Sequence, residues 1–189
     1  MSPFLFAVYV DEIGNLCDAR LDAFVVLYAD DILLMSPSIT GLQNLLSACQ
    51  ELLDSLDMVI KTKKSNCMRV GPRYYKSCAN TVTSDGQVIP WVDKVRYLGV
   101  YIVKSNRFRC SVEYAKRSFY RAANGILSKV GRLASEEVVL QLLRMKCSPI
   151  LMYGLDVCAL NNRSLQSLDF TVIRFFVKLV QTSDINIVN

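Results

Sequence analysis

An α+β fold, with strands gathered in the first half and helices crowded behind them, is what this sequence predicts. Three observations carry it. Two short runs of bulky strand formers, Ala23–Leu27 and Ile32–Met35, flank the tetrapeptide Tyr28-Ala29-Asp30-Asp31. Leu42, Leu45, Leu46, Cys49, Leu52, Leu53 and Leu56 recur at helical spacing directly afterwards. The last third of the chain repeats that helical pattern with no intervening strand signal.

The elements follow in order. Phe4–Val10 is apolar throughout and too short for its periodicity to separate a buried strand from a buried helix; Ser2-Pro3 before it suits a helix start. Gly14-Asn15 is a turn signal. Phe24–Met35 reads as a hairpin, ended by Pro37 and Ser38. Thr40-Gly-Leu-Gln43 has the form of a capping box, so the leucine-striped helix is expected to begin there and to pack beneath the hairpin. Cys67–Val70 reads as a short strand broken by Gly71-Pro72. Ser84-Asp85-Gly86-Gln87 is a turn, and Val88–Trp91 and Val95–Val103 are expected to add strands to the sheet. Asn106–Cys110 reads as a basic joint between two lobes, one spanning residues 1–105 and the other 106–189.

In the second lobe Val112, Ala115, Phe119, Ala122, Ala123, Ile126, Leu127 and Val130 form one apolar stripe. Ser135 before Glu136-Glu137 marks the next helix start, with carboxylates at the positive end of the helix dipole. Pro149 is expected to end or kink that helix. A last helix is expected over Leu165–Val180.

The chemistry is bounded by what is missing. The 189 residues contain no histidine, which excludes Ser-His and Cys-His nucleophilic catalysis within this chain and leaves carboxylates and lysines. Seven cysteines form no C-x-x-C pair. Those in apolar stretches, such as Cys49, Cys147 and Cys158, read as reduced buried thiols rather than zinc ligands. No apolar run reaches the roughly eighteen residues of a membrane span, and no secretory leader is visible. The expectation is an intracellular protein, nuclear or cytoplasmic, without a membrane partner.

The net charge of +5 conceals an asymmetry. Residues 1–57 carry nine acidic side chains and a single base, Arg20. Between Met58 and Ser84 there are six bases and no acid; between Lys94 and Arg132 there are ten bases and one acid, Glu113. Acid around the hairpin and base downstream fits a metal site beside a phosphate-binding surface. Solvated helix and loop faces are the plainer explanation of any one such run. Adjacent carboxylates at a hairpin tip offer hard oxygen ligands to a divalent cation, which Mg²⁺ prefers; the plainer alternative is an acidic surface turn. Asp11-Glu12, a second acidic pair, reads as surface, and Trp91 and Tyr97 as half-buried strand aromatics.

The hairpin resembles the active-site hairpin of reverse transcriptases, and further stretches extend the likeness. Ser2-Pro3-Phe4-Leu5-Phe6 is similar to the end of that family's Gln-Gly-x-x-Leu-Ser-Pro motif. Ile60-Lys61-Thr62-Lys63-Lys64-Ser65 resembles its Asn-x-x-Lys-Ser/Thr motif, with Lys61 where Asn is usual. Tyr97-Leu98-Gly99-Val100 resembles the strand pair that grips the primer, and Pro149-Ile-Leu-Met-Tyr153-Gly154 the Pro-x-x-x-Tyr-Gly stretch beyond it. The order and spacing are similar to a non-LTR (LINE-type) retrotransposon enzyme.

The resemblance implies a partial polymerase palm, an antiparallel sheet with packed helices, followed by a helical thumb-like region. It implies Asp30 and Asp31 as Mg²⁺ (or Mn²⁺) ligands and, with Lys64 near the nucleotide phosphates, as the catalytic residues. Tyr28 and Ala29 would lie by the primer end, and Leu98 and Gly99 by its backbone. Lys116, Arg117 and Arg121 are the expected nucleic-acid contacts of the helical region. RNA template, DNA primer and dNTP are the implied substrates. The family's first catalytic Asp, its fingers and the Gln-Gly lie upstream of Ser2-Pro3 in its members. The expectation is therefore a polymerase half, inactive alone, with an N-terminal half as a further expected partner. Alternatives are a non-catalytic nucleic-acid-binding remnant and a decayed gene product.

Overall fold

The computed structural model describes Phe6 and residues 8–17, 23–130, 134–158 and 160–180, with backbone alone over 178–180. The expected helix start at Ser2-Pro3, the lone early base Arg20 and the last downstream base Arg132 lie outside these residues. The fold is α+β, built from small antiparallel strand pairs and helices. It separates into two compact units: residues 1–69 with 75–93, and residues 70–74 with 94–189.

In the first unit, Phe6, Val8 and Tyr9 are helical, and α1 (Asp11–Gly14) follows. The apolar start of the chain is thus helix rather than strand over its described residues. Asp11 and Glu12 are exposed in the first turn of α1. Strands β1 (Phe24–Tyr28) and β2 (Asp31–Met35) pair antiparallel in five cross-strand pairs, from Phe24 opposite Met35 to Tyr28 opposite Asp31. Strand side chains alternate between faces. Val25, Leu27, Ile32 and Leu34 accordingly pack against Val10, Ile13, Cys49 and Leu53, while Phe24, Val26, Tyr28 and Met35 are exposed.

Helix α2 (Ile39–Ser55) lies beneath this face, as its leucine stripe predicts; Leu45, Leu46, Cys49, Gln50 and Leu53 are buried. Its start differs from the capping box read at Thr40–Gln43. Ser38 is the cap, its Oγ accepting from Gly41 N at 2.9 Å. That frees Gln43, whose side-chain amide grips the backbone of Val82: Nε2 donates to Val82 O at 2.7 Å and Oε1 accepts from Val82 N at 3.0 Å. Two helical turns on, the buried Gln50 accepts from Ser84 N at 2.9 Å. These contacts fasten the short pair β3 (Thr81–Val82) and β4 (Val88–Ile89) to α2. The turn between them contains Gly86 at φ +73°, as the Ser-Asp-Gly-Gln signal predicts. Cys67 makes only a single parallel bridge, to Trp91, instead of the strand expected over Cys67–Val70. Trp91 is half-buried against Leu46 and Ile89, as expected of a strand aromatic.

The second unit opens with β5 (Lys94–Tyr97) and β6 (Val100–Val103), paired antiparallel. The expected enlargement of one sheet does not occur among the described residues, whose strands form three two-stranded ladders. The stretch Asn106–Cys110, read as a basic joint, is anchored at its far end. It folds back on β6, with Val103 N donating to Arg109 O at 3.0 Å, Ser111 N to Tyr101 O at 2.7 Å, and a bridge between Ile102 and Cys110.

Four helices follow among the described residues: α3 (Glu113–Val130), α4 (Glu136–Lys146), α5 (Ser148–Met152) and α6 (Asn162–Val180), with a 3₁₀ turn at Leu155–Val157. Phe119, Ala123, Val139, Leu143, Cys147, Leu151, Leu168 and Phe175 form their core, with Phe119 and Phe175 edge to face at 5.8 Å between ring centroids. Helix α4 stops at Lys146, three residues before Pro149, as the proline predicts, and Pro149 lies in the first turn of α5, where its missing N–H costs nothing. The last helix begins three residues before Leu165 because Asn161 Oδ1 caps it, accepting from Ser164 N at 2.8 Å. Within Glu136–Val157 an 18-residue window of mean hydropathy 1.2 has the length and composition of a membrane span, which the sequence reading missed. Its backbone breaks at Cys147 and at Tyr153, and Val139, Leu143, Cys147 and Leu151 belong to the helical core.

The cysteines are free thiols. Burial raises the pKa of Cys49, Cys67 and Cys147. Cys110 is pushed up to about 12, by burial first and then by its hydrogen bond to Cys158 and their proximity. At neutral pH these four are protonated packing groups, as expected of Cys49 and Cys147, whereas Cys158, also expected to be buried, is half-buried.

One backbone position predicts a stability change. Ala29 sits at φ +50° in the two-residue connection between β1 and β2, a conformation in which an L side chain costs roughly 1–2 kcal/mol. Ala29→Gly is expected to stabilise the chain by about 1 kcal/mol in urea denaturation, after the extra freedom of the unfolded glycine is deducted. A lower urea midpoint for the variant would contradict it.

Candidate active site and nucleic-acid interface

The hairpin places its carboxylates by register. Tyr28 and Asp31 are the last cross-strand pair, and Ala29-Asp30 is the connection above them. Because the opposite face of the ladder is packed on α1 and α2, the tip is held by the unit's core while Tyr28, Ala29, Asp30 and Asp31 stay exposed. Tyr28 is 61% exposed, so its ring is available to a partner. The donors are two carboxylates on adjacent residues, a hard oxygen set that fits Mg²⁺ or Mn²⁺ in kind. They do not fill an octahedron. Among the described residues, no three His, Cys, Asp or Glu side chains gather around one point.

Lys64 belongs to the same unit. It is exposed on a tight turn in which Lys64 N donates to Lys61 O at 2.9 Å and Ser65 N to the same oxygen at 3.1 Å. Among the described residues no ion pair joins its ammonium to Asp30 or Asp31. Lys61, where the family's motif has Asn, is exposed and supplies the backbone carbonyl on which this turn closes.

Leu98 and Gly99 form the two-residue turn between β5 and β6, at φ +46° and +81°. Both signs are those of the tight hairpin turn whose twist matches its strands. The three cations expected on α3 are not equivalent. Lys116 is 16% exposed, pairs with Glu113 at 2.6 Å and donates to Ser167 Oγ at 2.8 Å. Arg117 and Arg121 are exposed.

Around Arg117 the structure assembles a group that sequence reasoning missed. Tyr101 of β6 and Tyr114 of α3 stack, with centroids 3.6 Å apart and planes 10° from parallel. The Arg96 guanidinium lies 5.9 Å from the Tyr101 centroid. Lys94 Nζ and the Arg117 guanidinium lie 5.4 and 5.8 Å from that of Tyr114. Cations over aromatic faces are attracted by the ring quadrupole, which orders them without neutralising them. Three positive groups are thus held around the stacked pair of rings. Such a cluster suits the phosphates of a nucleic acid. The sequence carried one usable signal, Lys94 and Arg96 alternating on a strand opposite Tyr101; the pairing with Tyr114 needed the fold.

No curated protein and no solved structure matches the chain. The family model described as reverse transcriptase (RNA-dependent DNA polymerase) matches residues 1–102, which take in the carboxylate hairpin, the Lys64 turn and the Leu98-Gly99 turn. More than half of the chain is matched, and with adjacent carboxylates at the tip of a core-packed hairpin it belongs to the reverse transcriptase family.

Proposed function

We propose that this chain serves as the palm and thumb of an RNA-directed DNA polymerase of the non-LTR (LINE-type) class, and that alone it binds primer and template without extending them. The observation that carries the reading is the hairpin, whose buried face fixes Asp30 and Asp31 at an exposed tip. Residues 1–105 act as palm and 106–189 as the thumb-like region. Lys94–Val103 is compact with the helices, yet the family match reaches residue 102 and supports counting it with the palm.

Asp30 is the hairpin's metal ligand and Asp31 the second carboxylate. A bound pair of Mg²⁺ or Mn²⁺ ions stabilises attacking and leaving oxygens in phosphoryl transfer. The remaining roles belong to the chain's own groups. Tyr28 and Ala29 abut the primer end, where the 3′-hydroxyl oxygen forms a bond to the α-phosphorus of dNTP as the bond to pyrophosphate breaks. Lys64 places a cation by the departing phosphates. Lys94, Arg96, Arg117 and Arg121 hold the duplex backbone. This reading favours a protein that works inside the cell, nuclear or cytoplasmic, where nucleic acid and dNTP are found.

A second reading, a nucleic-acid-binding protein without catalysis, is favoured by the cation–tyrosine group, which works without any carboxylate. Both readings require duplex binding. On a native gel at low salt, the chain is expected to retain a labelled DNA primer annealed to RNA; free migration of the duplex at micromolar protein would sink both.

A further inference from the structure

The turn Leu98-Gly99 is held in place by a residue far away in sequence. Two consecutive positive φ values suit Gly99 but not Leu98, whose side chain disfavours that region. Across 55 positions of sequence, Tyr153 Oη donates to Leu98 O at 3.0 Å. The Tyr153 ring also lies on the bare face of Gly99, where a Cβ would fall 3.0 Å from its Cε1. Gly154, at φ +73°, presses its backbone on the next residue, because a Cβ there would fall 2.6 Å from Val100 Cγ2. Tyr153 follows directly on α5, whose Leu151 is buried in the helical core. Three contacts thus clasp Leu98, Gly99 and Val100 and tie the turn to that core.

Burial does not account for the clasp. Tyr153 is 63% exposed, so its ring gains little by leaving water here. What the contact changes is the polarity of the turn. The Leu98 carbonyl oxygen is a negative pole on an exposed loop, and an approaching phosphodiester is repelled by it. With the Tyr153 hydroxyl donating to that oxygen, the acceptor is already engaged. Gly99, without a side chain, leaves room for a backbone to come close. Lys94 and Arg96, on the strand leading into the turn, supply the attraction.

We propose that Tyr153 is a positioning residue that holds the Leu98-Gly99 turn in the form that receives the sugar-phosphate backbone of the primer strand. The proposal rests on the function proposed above. It adds a residue beyond the segment matched to the family and assigns its hydroxyl a task.

The test uses the full chain, a DNA primer recessed on an RNA template, and a blunt duplex of the same length. Tyr153→Phe keeps the ring on Gly99 and removes only the hydroxyl. It is expected to speed amide hydrogen exchange over residues 98–100 and to weaken binding of the recessed duplex by about threefold to tenfold, the range for one lost hydrogen bond. The salt dependence is expected to stay at the wild-type value, since the number of phosphate contacts does not change, and the thermal midpoint to fall by only about 1–6 °C, the cost of one hydrogen bond in a chain of this size. Gly154→Ala, which collides with Val100 from the other side, should loosen the same amides.

Unchanged exchange in both variants would overturn the clasp. Faster exchange with unchanged affinity would overturn the primer role alone. Equal weakening of recessed and blunt duplex would also overturn that role, by showing that the turn does not distinguish the primer end. Failure of the wild-type chain to bind either duplex would instead remove the proposed function, and the primer role with it, whatever the exchange data show.

Discussion

Incubated with Mg²⁺, dNTPs and a DNA primer on an RNA template, the isolated 189-residue chain is expected to extend no primer. The argument is one of ligand supply. Two metal ions held a few ångström apart, each near octahedral, need carboxylate oxygens from more than one direction. Asp30 and Asp31 are neighbours on one hairpin, and no other acidic side chain among the described residues joins them in a cluster. Waters and nucleotide phosphates can complete the shell of a weakly bound ion. They cannot hold attacking and leaving oxygens in line, and misplacing reacting groups by about 1 Å costs on the order of a hundredfold in rate. A polypeptide in which an added strand supplies a third carboxylate is expected to gain extension, and Asp30→Asn to abolish it. Robust synthesis by the unaided chain, lost in Asp30→Asn, would refute the account, because the site would then be complete as it stands.

The second large effect is electrostatic. Duplex affinity of the chain is expected to fall steeply with salt, and the triple change Lys94→Gln, Arg96→Gln, Arg117→Gln to flatten the fall. Each phosphate neutralised contributes about −0.9 to the slope of log affinity against log salt, so three lost contacts remove about 2.7 from it. Between 50 and 200 mM salt these contacts alone account for roughly a fortyfold loss of affinity. Lys116→Gln is the internal comparison. Its ammonium is already engaged by Glu113 and Ser167, so the slope should hardly move. Fluorescence anisotropy over a salt series measures both. A triple variant with the wild-type slope, or a Lys116 variant with the larger change, would show that the charges ordered by Tyr101 and Tyr114 do not meet the phosphates.

Much of this was legible in the chain. The hairpin was, because both flanks of Tyr28–Asp31 are strand formers and a strand alternates its faces whatever surrounds it. So was α2, because a leucine stripe at helical spacing has one stable arrangement, packed. Errors arose where two local explanations compete for the same residues. Gln43 three places after Thr40 satisfies the pattern of a capping box, but Ser38 caps the helix first and the amide finds a strand backbone instead.

The site divides in the same way. Asp30 and Asp31 are neighbours in sequence, so one dimension suffices to bring them together. The Tyr101–Tyr114 stack joins a strand to a helix, and Tyr153 reaches Leu98 over 55 residues; no periodicity records such pairings. The unequal standing of Lys116 and Arg117, adjacent in the chain, likewise depends on Ser167 in another helix.

The glutamines of α2 have a consequence of their own. A strand at the border of a sheet exposes unsatisfied peptide groups, which recruit strands from other molecules. On β3 and the turn after it, the outward groups of Val82 and the amide of Ser84 are taken by Gln43 and Gln50, whose carboxamides imitate the peptide bonds of an absent neighbour. A helix thereby completes a ladder sideways, and a two-residue strand acquires the protection against self-association that longer sheets obtain by closing into a barrel.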